Sequence, residues 1–322
     1  MLQAVSVSAS GAAEETSSAA PAAIQTSGLR KEYGRRVGLH GLTLTVQPGE
    51  VFGFLGPNGA GKTTTVKILM GLVRATAGEA RIFGQPVTDR LTRRRVGYLP
   101  ENFRFHDWLT GIGLLDFHGQ LAGLNAQERA TRVPEVLQQV GLAGRGHDRI
   151  RGYSKGMTQR IGLAQAIIHR PDLVLLDEPT SALDPIGRRE VRDIIRSLRA
   201  EGTTVFLNSH LLSEIEMICD RIAIVDKGQV VRSGRLTDLM QGALELKLTV
   251  DRVDPELLET LKRHAQIQQV DGVTVTLEVA DLDVSPAIAD AVVRGGYRLY
   301  SLVPIHRSLE DVFVSLVEGS ES

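Results

Sequence analysis

The stretch Gly56-Pro57-Asn58-Gly59-Ala60-Gly61-Lys62-Thr63-Thr64 decides the fold of this chain, because it matches the phosphate-loop pattern G-x-x-x-x-G-K-[ST] at every fixed position. The apolar run at 51–55 before it predicts a buried strand, and apolar residues at helical spacing follow it at 66–70. A strand, a glycine-rich loop and a helix in this order are the context in which such a loop binds phosphate.

Each residue type in this loop has a physical reason to be there. Glycines let backbone N–H groups turn towards phosphate oxygens, and the following helix presents its positive end to the same anion. Lys62 can then reach the β- and γ-phosphates, and the hydroxyl of Thr63 can hold Mg²⁺. The alternative, a glycine-rich turn with a chance lysine, does not explain the flanking strand and helix. The loop therefore predicts a site for the phosphates of a nucleotide with Mg²⁺.

The composition of the chain argues against several classes of protein. Its 322 residues are enough for two domains, and 37 basic against 38 acidic residues argue against a nucleic-acid partner bound through bulk charge. The single cysteine, Cys219, excludes an internal disulfide and is typical of a reducing cytoplasm. No apolar run approaches the roughly 20 residues that span a bilayer. The Ala- and Ser-rich residues 1–23 predict a disordered tail rather than a secretory signal.

Strand and helix patterns alternate along residues 24–234, which predicts an α/β core. A helical pattern with glycine interruptions at 107–168 predicts an inserted helical subdomain. Beyond Gly234 the pattern becomes β-α-β-β-α-β, as in ferredoxin-like folds, and Ser308 with Asp311 predicts a capping box for a last helix. We therefore expect a small α+β accessory domain over residues 235–322.

Polar residues follow two of the predicted central strands, and ligands of open α/β sheets bind at the carboxyl ends of strands. Asp177 ends an apolar strand and can position Mg²⁺, while Glu178 can polarise an attacking water as general base. His210 ends the next strand, which we expect beside the first, so it could reach the γ-phosphate. Taken singly, the carboxylates could be a solvated strand end and the histidine a structural one. Beside a phosphate loop, the three predict a hydrolytic site.

A second helix start has the features of an anion site. Ser154 and Gly156 open a helix, where free N–H groups and a hydroxyl can bind an anion. Because Lys62 already belongs to the cradle of one nucleotide, we expect this second helix start to serve the nucleotide of another subunit.

Together these motifs resemble the ATP-binding subunits of ABC transporters, over residues 24–234. The resemblance implies an α/β P-loop NTPase fold with an antiparallel β subdomain and a helical subdomain. It also implies a head-to-tail dimer that holds two ATP molecules between phosphate loop and signature loop. Tyr33 resembles the aromatic residue that stacks on adenine, although alone it could equally be core. Residues 173–178 resemble the Walker B motif. Residues 181–184, which end at Asp184, resemble the loop that communicates across the dimer, and His210 resembles the switch histidine.

Two motifs depart from the usual form of the family. The signature loop usually reads Leu-Ser-Gly-Gly-Gln, whereas Tyr153-Ser154-Lys155-Gly156-Met157 keeps only the serine and the second glycine. Glu101 stands where the family normally has Gln. Its carboxylate can still offer an oxygen to Mg²⁺, but it adds negative charge beside the phosphates.

The segment after Glu101 carries the aromatic residues Phe103, Phe105 and Trp108. In the family this region receives a helix of the membrane subunit, which implies that the aromatic side chains are exposed. The alternative is that they are local core, the commoner state of aromatic residues.

Glu101, the Tyr-Ser-Lys-Gly signature and the ending at 308–313 resemble one branch of the family, bacterial ATPases that are encoded apart from the permease of a drug, antibiotic or lipid-linked exporter. The resemblance implies an ATP-hydrolysing motor that forms a homodimer, or a heterodimer with a similar ATPase. It would be cytoplasmic and bind a permease at the inner face of the membrane. An ABC ATPase acting on ribosomes or DNA is an alternative, but it would usually carry two phosphate loops or coiled-coil arms. A regulatory nucleotide-binding module is another, although Lys62, Asp177, Glu178 and His210 are all intact.

Overall fold

The computed structural model describes residues 20–181, 183–240, 244–305 and 308–318. The first strand begins at Ile24, where the sequence pattern predicts the start of folded structure. Residues 1–19 of the predicted N-terminal tail lie outside the described part of the chain.

The strands form three sheets, which are described below. The strands are β1 (Ile24–Tyr33), β2 (Arg36–Val46), β3 (Val51–Leu55), β4 (Ala77–Ile82), β5 (Gln85–Pro86), β6 (Val96–Leu99), β7 (Leu173–Asp177), β8 (Thr204–Asn208), β9 (Arg221–Asp226), β10 (Gln229–Arg235), β11 (Leu244–Val250), β12 (Gln266–Asp271), β13 (Thr274–Val279) and β14 (Leu299–Ile305).

The helices alternate with these strands except in the helical part, where three follow one another. They are α1 (Lys62–Leu69), α2 (Arg90–Arg93), α3 (Gly111–Leu121), α4 (Ala126–Gln139), α5 (Lys155–Ile167), α6 (Pro185–Ala200), α7 (Leu212–Ile218), α8 (Leu236–Met240), α9 (Pro255–Leu261), α10 (Ser285–Arg294) and α11 (Leu309–Glu318). Among the described residues, none of these helices is both long enough and apolar enough to cross a membrane.

The central sheet has the strand order β10-β9-β3-β8-β7-β6, and all neighbours from β9 to β6 are parallel. Every residue of β3, β7 and β8 is buried, as expected for strands covered on both faces. Because β7 pairs with β8, the strand that precedes His210 lies beside the strand that ends at Asp177, as predicted. The phosphate loop leaves β3 at the same edge of the sheet.

Two further layers cover this sheet. An antiparallel sheet of order β2-β1-β4-β5 shares an apolar core with α1 and with one face of the central sheet. Helices α3 to α6 share a second core with the opposite face. Side chains of Thr110, Asn125 and Ser154 cap the first turns of α3, α4 and α5, which fixes where these helices begin. The predicted fold class, with its β and helical subdomains, is confirmed.

The later part of the chain forms a third sheet with its own core. Its strands are all antiparallel, in the order β12-β13-β11-β14, and α9 and α10 complete a β-α-β-β-α-β sequence. Alternate residues of β11 and β13, among them Leu246, Leu248 and Leu277, are buried with Leu257 and Ile288 of the two helices.

The last helix leaves this third sheet and returns to the first part of the chain. α11 contacts α7 and α8, and Leu309 is fully buried in the core that contains Ile215 of α7. The backbone N–H of Leu309 donates to Oε1 of Glu216 at 3.3 Å. The capping box predicted at 308–311 is present. The division of the chain into two domains at Gly234 stays a proposal. In the structure α11, which follows that boundary, packs against α7, which precedes it.

Candidate functional site

The phosphate loop turns sharply between β3 and α1. Gly59 and Gly61 have φ angles of +88° and +98°, which L side chains rarely adopt, and Gly61 caps α1. The ammonium group of Lys62 folds back over the loop and donates to the carbonyl oxygens of Gly56, at 2.6 Å, and Pro57, at 3.2 Å. Lys62 is thus held on its own loop, within one side-chain movement of any anion that the loop binds.

The two outer glycines of the loop allow a close approach of other backbone. A Cβ atom at Gly56 would lie 2.3 Å from the carbonyl oxygen of Val225, and one at Gly61 would lie 2.5 Å from Cδ2 of Leu39. Both positions therefore need glycine for packing, apart from any ligand. Asn58 and Gly59, at the tip of the loop, are exposed.

A cleft of about 450 Å³ lies between Tyr33 and this loop. Of the loop residues, it is lined by Pro57, Asn58, Gly59, Gly61, Lys62, Thr63 and Thr64, but not by Gly56 or Ala60, which are buried beneath. Arg36, Lys62 and Lys67 bring positive charge, and among the described residues no carboxylate lines the cleft. This charge fits a polyphosphate. A larger cleft, about 670 Å³, adjoins Ile68 and Gly71 near the far end of α1 and contains none of the predicted site residues.

Tyr33 forms one wall of the 450 Å³ cleft, and its ring is about half exposed. The ammonium group of Lys31 lies 5.0 Å from the ring centroid. The ring is therefore not core, which removes the alternative weighed for it from sequence.

Asp177 is buried at the end of β7 and accepts a hydrogen bond from the side-chain amide of Asn208, at the end of β8. Burial raises the pKa of Asp177, with the negative charges of Glu101 and Glu178 acting in the same direction and Asn208 and Lys62 against it. Burial lowers the pKa of Lys62, and the three carboxylates oppose that shift. Lys62 thus faces three carboxylates, of which Asp177 and Glu178 are shielded from water and Glu101 is exposed, and such perturbed charges are frequent at functional sites.

Glu178 follows Asp177 with a φ of +52°, a backbone conformation that is strained for a residue with a side chain. Its N–H donates to the carbonyl oxygen of Asn208 at 2.8 Å, and its side chain is only 10% exposed. Nδ1 of His210 lies 2.8 Å from Oε2 of Glu178, but the two do not meet the angles of a hydrogen bond. Oε2 therefore has no hydrogen-bond donor among the described residues, and it can accept the proton of a bound water.

The predicted second anion site is a well-formed helix start. Oγ of Ser154 accepts the N–H of Met157 at 3.2 Å, and the Tyr153 hydroxyl donates to the carbonyl oxygen of Arg145 at 2.8 Å. Ser154 is exposed, and a Cβ atom added at Gly156 would meet nothing closer than 4.0 Å. Among the described residues, this segment supplies none of the lining of the Tyr33 cleft.

Asp184 likewise acts as a helix cap, since its Oδ1 accepts the N–H of Gly187 at 2.8 Å and opens α6. It does not line the Tyr33 cleft in this chain. The structure thus brings Tyr33 to the phosphate loop and the strand-end carboxylates to Lys62 of that loop, whereas Ser154, Gly156 and Asp184 lie at helix starts outside the cleft.

Comparison with known proteins identifies the family. A family model described as ABC transporter matches residues 39–181. An uncharacterized ABC transporter ATP-binding protein of Synechocystis sp. is 44% identical over 275 residues, which are 85% of this chain and 76% of that relative. This chain belongs to the ABC transporter ATP-binding proteins.

Two further relatives of this ABC ATP-binding protein have names that mention export of a compound or resistance to one. The Nod factor export ATP-binding protein I of Cupriavidus metallidurans is 35% identical over 92% of this chain and 97% of its own length. The daunorubicin resistance ATP-binding protein DrrA3 of Streptomyces coeruleorubidus is 36% identical over 91% of this chain and 89% of its own. A solved ATP-binding subunit of an ABC transporter superposes with a TM-score of 0.62 at 30% identity, covering 68% of this chain and 92% of that structure. The resemblance to ABC transporter ATP-binding subunits that was drawn from the motifs is confirmed, and the relatives include proteins named for export and for drug resistance.

The residues of this ABC protein fit a magnesium nucleotide better than a free metal. Among the described residues, no three His, Cys, Asp or Glu side chains converge into a metal cage. Mg²⁺ bound with a nucleotide needs only one or two carboxylates, because phosphates and waters supply the other ligands. Thr63 in the cleft and Asp177 at the strand end offer such ligands, and Glu101 is close enough to act on the pKa of Asp177.

The aromatic residues at 103–108 do not all share one environment, so each of the two interpretations from sequence applies to part of the segment. The rings of Phe103 and Phe105 lie 5.2 Å apart and pack, partly buried, against the helical core. Trp108 is exposed and stacks on His106, with the ring centroids 4.3 Å apart. The local-core interpretation therefore applies to the two phenylalanines, and the exposed interpretation to Trp108.

Two residues of the site were missed from sequence. Asn208 orients the buried carboxylate of Asp177, and Arg36 brings a cation to the Tyr33 cleft. Asn208 had a usable signal, since it directly follows an apolar strand that was predicted to lie beside Asp177. Arg36 had none, because its place in the cleft depends on the β1–β2 hairpin folding back towards the loop.

Proposed function

We propose that this chain is the ATP-hydrolysing motor subunit of an exporter, and that ATP binding closes a head-to-tail dimer which hydrolysis reopens. The observation that carries the proposal is the strand-end group beside the phosphate loop. It combines a buried Asp177, a strained Glu178 with an oxygen that lacks a donor, and His210 at 2.8 Å from that oxygen. A site with unsatisfied charge and strain suits catalysis better than stability.

In the proposed mechanism Lys62 moves from the carbonyl oxygens of its own loop to the β- and γ-phosphates, where its hydrogen bonds join two opposite charges. Mg²⁺, held with the nucleotide by Thr63 and Asp177, would neutralise charge that develops on the phosphates. Asn208 keeps the Asp177 carboxylate in one orientation. Tyr33 provides the ring for stacking on adenine.

Glu178 is the proposed general base. Its side chain is nearly buried and one oxygen lacks a donor, so it can take the proton of an attacking water. His210 lies on the neighbouring strand end and contacts the same oxygen at ion-pair distance, which places it to orient both the water and the γ-phosphate.

The exposed start of α5 is the proposed contact of the second subunit. Ser154 and Gly156 face open space and lie outside their own chain's nucleotide cleft, so they are free to approach the γ-phosphate held by a partner. Asp184 opens α6 and would lie at the same interface. The partner is a second copy of this chain or a similar ATPase.

The export role rests on the relatives named for Nod factor export and daunorubicin resistance. A groove of about 410 Å³ between α2, α3 and α5 is the proposed contact with the permease, which would hold the protein at the inner face of the cell membrane. It is lined by Arg94, His118 and Leu121, and the exposed apolar side chains of Leu121 and Phe117 lie on α3.

The Glu178→Gln variant tests the motor proposal. The amide keeps the size of the carboxylate but cannot accept the water's proton, so turnover should fall about 10²–10⁴-fold while ATP still binds. The γ-phosphate would then stay between the two subunits, so size-exclusion chromatography with light scattering should show a dimer with ATP and none with ADP. Adding Ser154→Arg should abolish this dimer. Glu190→Gln, the same change on the surface of α6, is the control and should behave like the parent.

Parental turnover in Glu178→Gln would refute the general-base assignment. A variant that binds ATP tightly, does not hydrolyse it and stays monomeric at high protein concentration would refute the shared site.

A further inference from the structure

A buried ion pair joins the two helices that follow Asp184 and His210. Nη1 of Arg192, on α6, donates to both carboxylate oxygens of Glu214, on α7, at 2.8 Å each. The Glu214 side chain is 6% exposed and that of Arg192 is 15% exposed, so the pair is well shielded from water. A third hydrogen bond, from Arg196 to the carbonyl oxygen of Met217, joins the same helices at 3.3 Å.

The position of α7 sets the position of His210, because only Leu211 separates the histidine from the helix. The N–H of Leu211 donates to Oγ of Ser209 at 3.1 Å, and the N–H of Glu214 donates to the carbonyl oxygen of Leu211 at 3.0 Å. These bonds make a short, stiff connection from Glu214 to the histidine. A shift of α7 would therefore change the 2.8 Å approach of His210 to Glu178.

A contribution to stability does not by itself explain this buried ion pair. Taking two charges out of water costs several kcal/mol per ion, and well-packed apolar residues of similar volume often serve a core as well or better. The Nε atom of Arg192 is buried without a hydrogen-bond partner among the described residues, which adds to that cost. A directional bond fixes one relative position of two helices, whereas apolar packing allows small slides.

We propose that Arg192 and Glu214 are positioning residues for hydrolysis, which hold α7 in the one place where His210 meets Glu178 and join it to the helix that begins at Asp184. The inference rests on the proposed function. It adds that movement of α6, whose first residues lie at the proposed dimer contact, changes the catalytic geometry through this ion pair.

The Arg192→Gln variant of the full-length protein should lower kcat about 10- to 100-fold with little change in KM for ATP, since a misplacement of about 1 Å can cost roughly 100-fold. The matched control is Arg129→Gln in the helical part. Arg129 is also 15% exposed and also pairs with an acid on another helix, Asp116, at 2.7 Å. Arg129→Gln should keep the parental kcat even if it lowers the unfolding temperature as much as Arg192→Gln does.

A double-mutant cycle with His210→Ala separates positioning from general loosening. If Arg192 acts through His210, Arg192→Gln should have almost no further effect on kcat in the His210→Ala background. If Arg192→Gln lowers kcat by the same factor in the parental and in the His210→Ala background, the inference is overturned, while the proposed role of His210 is unaffected. Parental turnover in His210→Ala alone would instead refute the proposed function, so the two failures are distinguishable.

The paired change Arg192→Met with Glu214→Leu covers the case in which Arg192→Gln fails to fold. It replaces both charges by side chains of similar volume and should unfold no earlier than the parent. We expect its kcat to stay below that of the parent, because the apolar side chains restore the packing but not the directional bond between α6 and α7. Full recovery of kcat in this folded variant would show that the pair serves packing only, and would overturn the inference.

Discussion

Removing the side chain of Leu309 should destabilise the part of the chain that binds the nucleotide, although Leu309 lies 75 residues after Gly234 in the sequence. Leu309 is 0% exposed and belongs to the core that contains Ile215 and Leu236. Leu→Ala changes at such sites cost about 2–5 kcal/mol, through lost burial and the cavity left behind. We expect Leu309→Ala to lie within this range.

The measurement is urea unfolding followed by circular dichroism, combined with native-state hydrogen exchange to locate the effect. Faster exchange should appear in α7, which α11 contacts, and not in the third sheet. Val314→Ala on the same helix is the matched control. Val314 is 43% exposed, so its truncation should change the free energy of unfolding by no more than about 0.5 kcal/mol.

A loss below about 1 kcal/mol in Leu309→Ala, or faster exchange confined to β11–β14, would refute the packing argument, because a fully buried leucine cannot be removed so cheaply from a core it belongs to. Such a result would also favour a fully separate domain over residues 235–322. The predicted loss would instead mean that a protein cut after Gly234 exposes apolar surface on α7.

Three further predictions concern the nucleotide site. Gly61→Ala should abolish ATP binding in a fluorescent-nucleotide titration, since its Cβ would clash with Leu39; Gly59→Ala, with a similar φ but open space, should only weaken it. Glu101→Gln should keep substantial ATPase activity in a phosphate-release assay, because the amide oxygen can still approach Mg²⁺; complete loss would reveal an ionised role. Burial raises the pKa of Asp177, so stability falls as pH rises between its ordinary and its raised pKa, where the folded state holds more protons than the unfolded state. Asp177→Asn should therefore raise the free energy of unfolding at neutral pH while abolishing hydrolysis; unchanged or lower stability would contradict the sign of this shift.

Most of the central fold could be predicted because its signals are local. The phosphate loop, the apolar runs of β3, β7 and β8 and the glycine-rich turns each depend on a few neighbouring residues. The start of β2 at Arg36 is set by its pairing with β1 rather than by its own pattern. Strand pairing depends on a distant partner, so the sequence pattern could not determine it.

Distant contacts explain what the sequence did not reveal. The return of α11 to α7 requires its apolar face, with Leu309 and Phe313, to match a surface formed about 100 residues earlier. Nothing in the helix itself distinguishes that surface from the third sheet. The amide of Asn208 and the guanidinium of Arg192 likewise gain their partners only when two elements come together. Patterns predict which residues are polar and buried, but not which partner satisfies them.

Several departures from local rules in this protein lie around one group of residues. Lys62 faces three negative charges, those of Glu101, Asp177 and Glu178. The site also holds the positive φ of Glu178 and a carboxylate oxygen without a donor, each of which costs stability where it stands. The completely buried strands beside it supply the stability that tolerates such a cost. Because the excess negative charge lies where the Mg²⁺ of a bound nucleotide would offset it, the charge and the strain are better explained by ligand binding and hydrolysis than by folding.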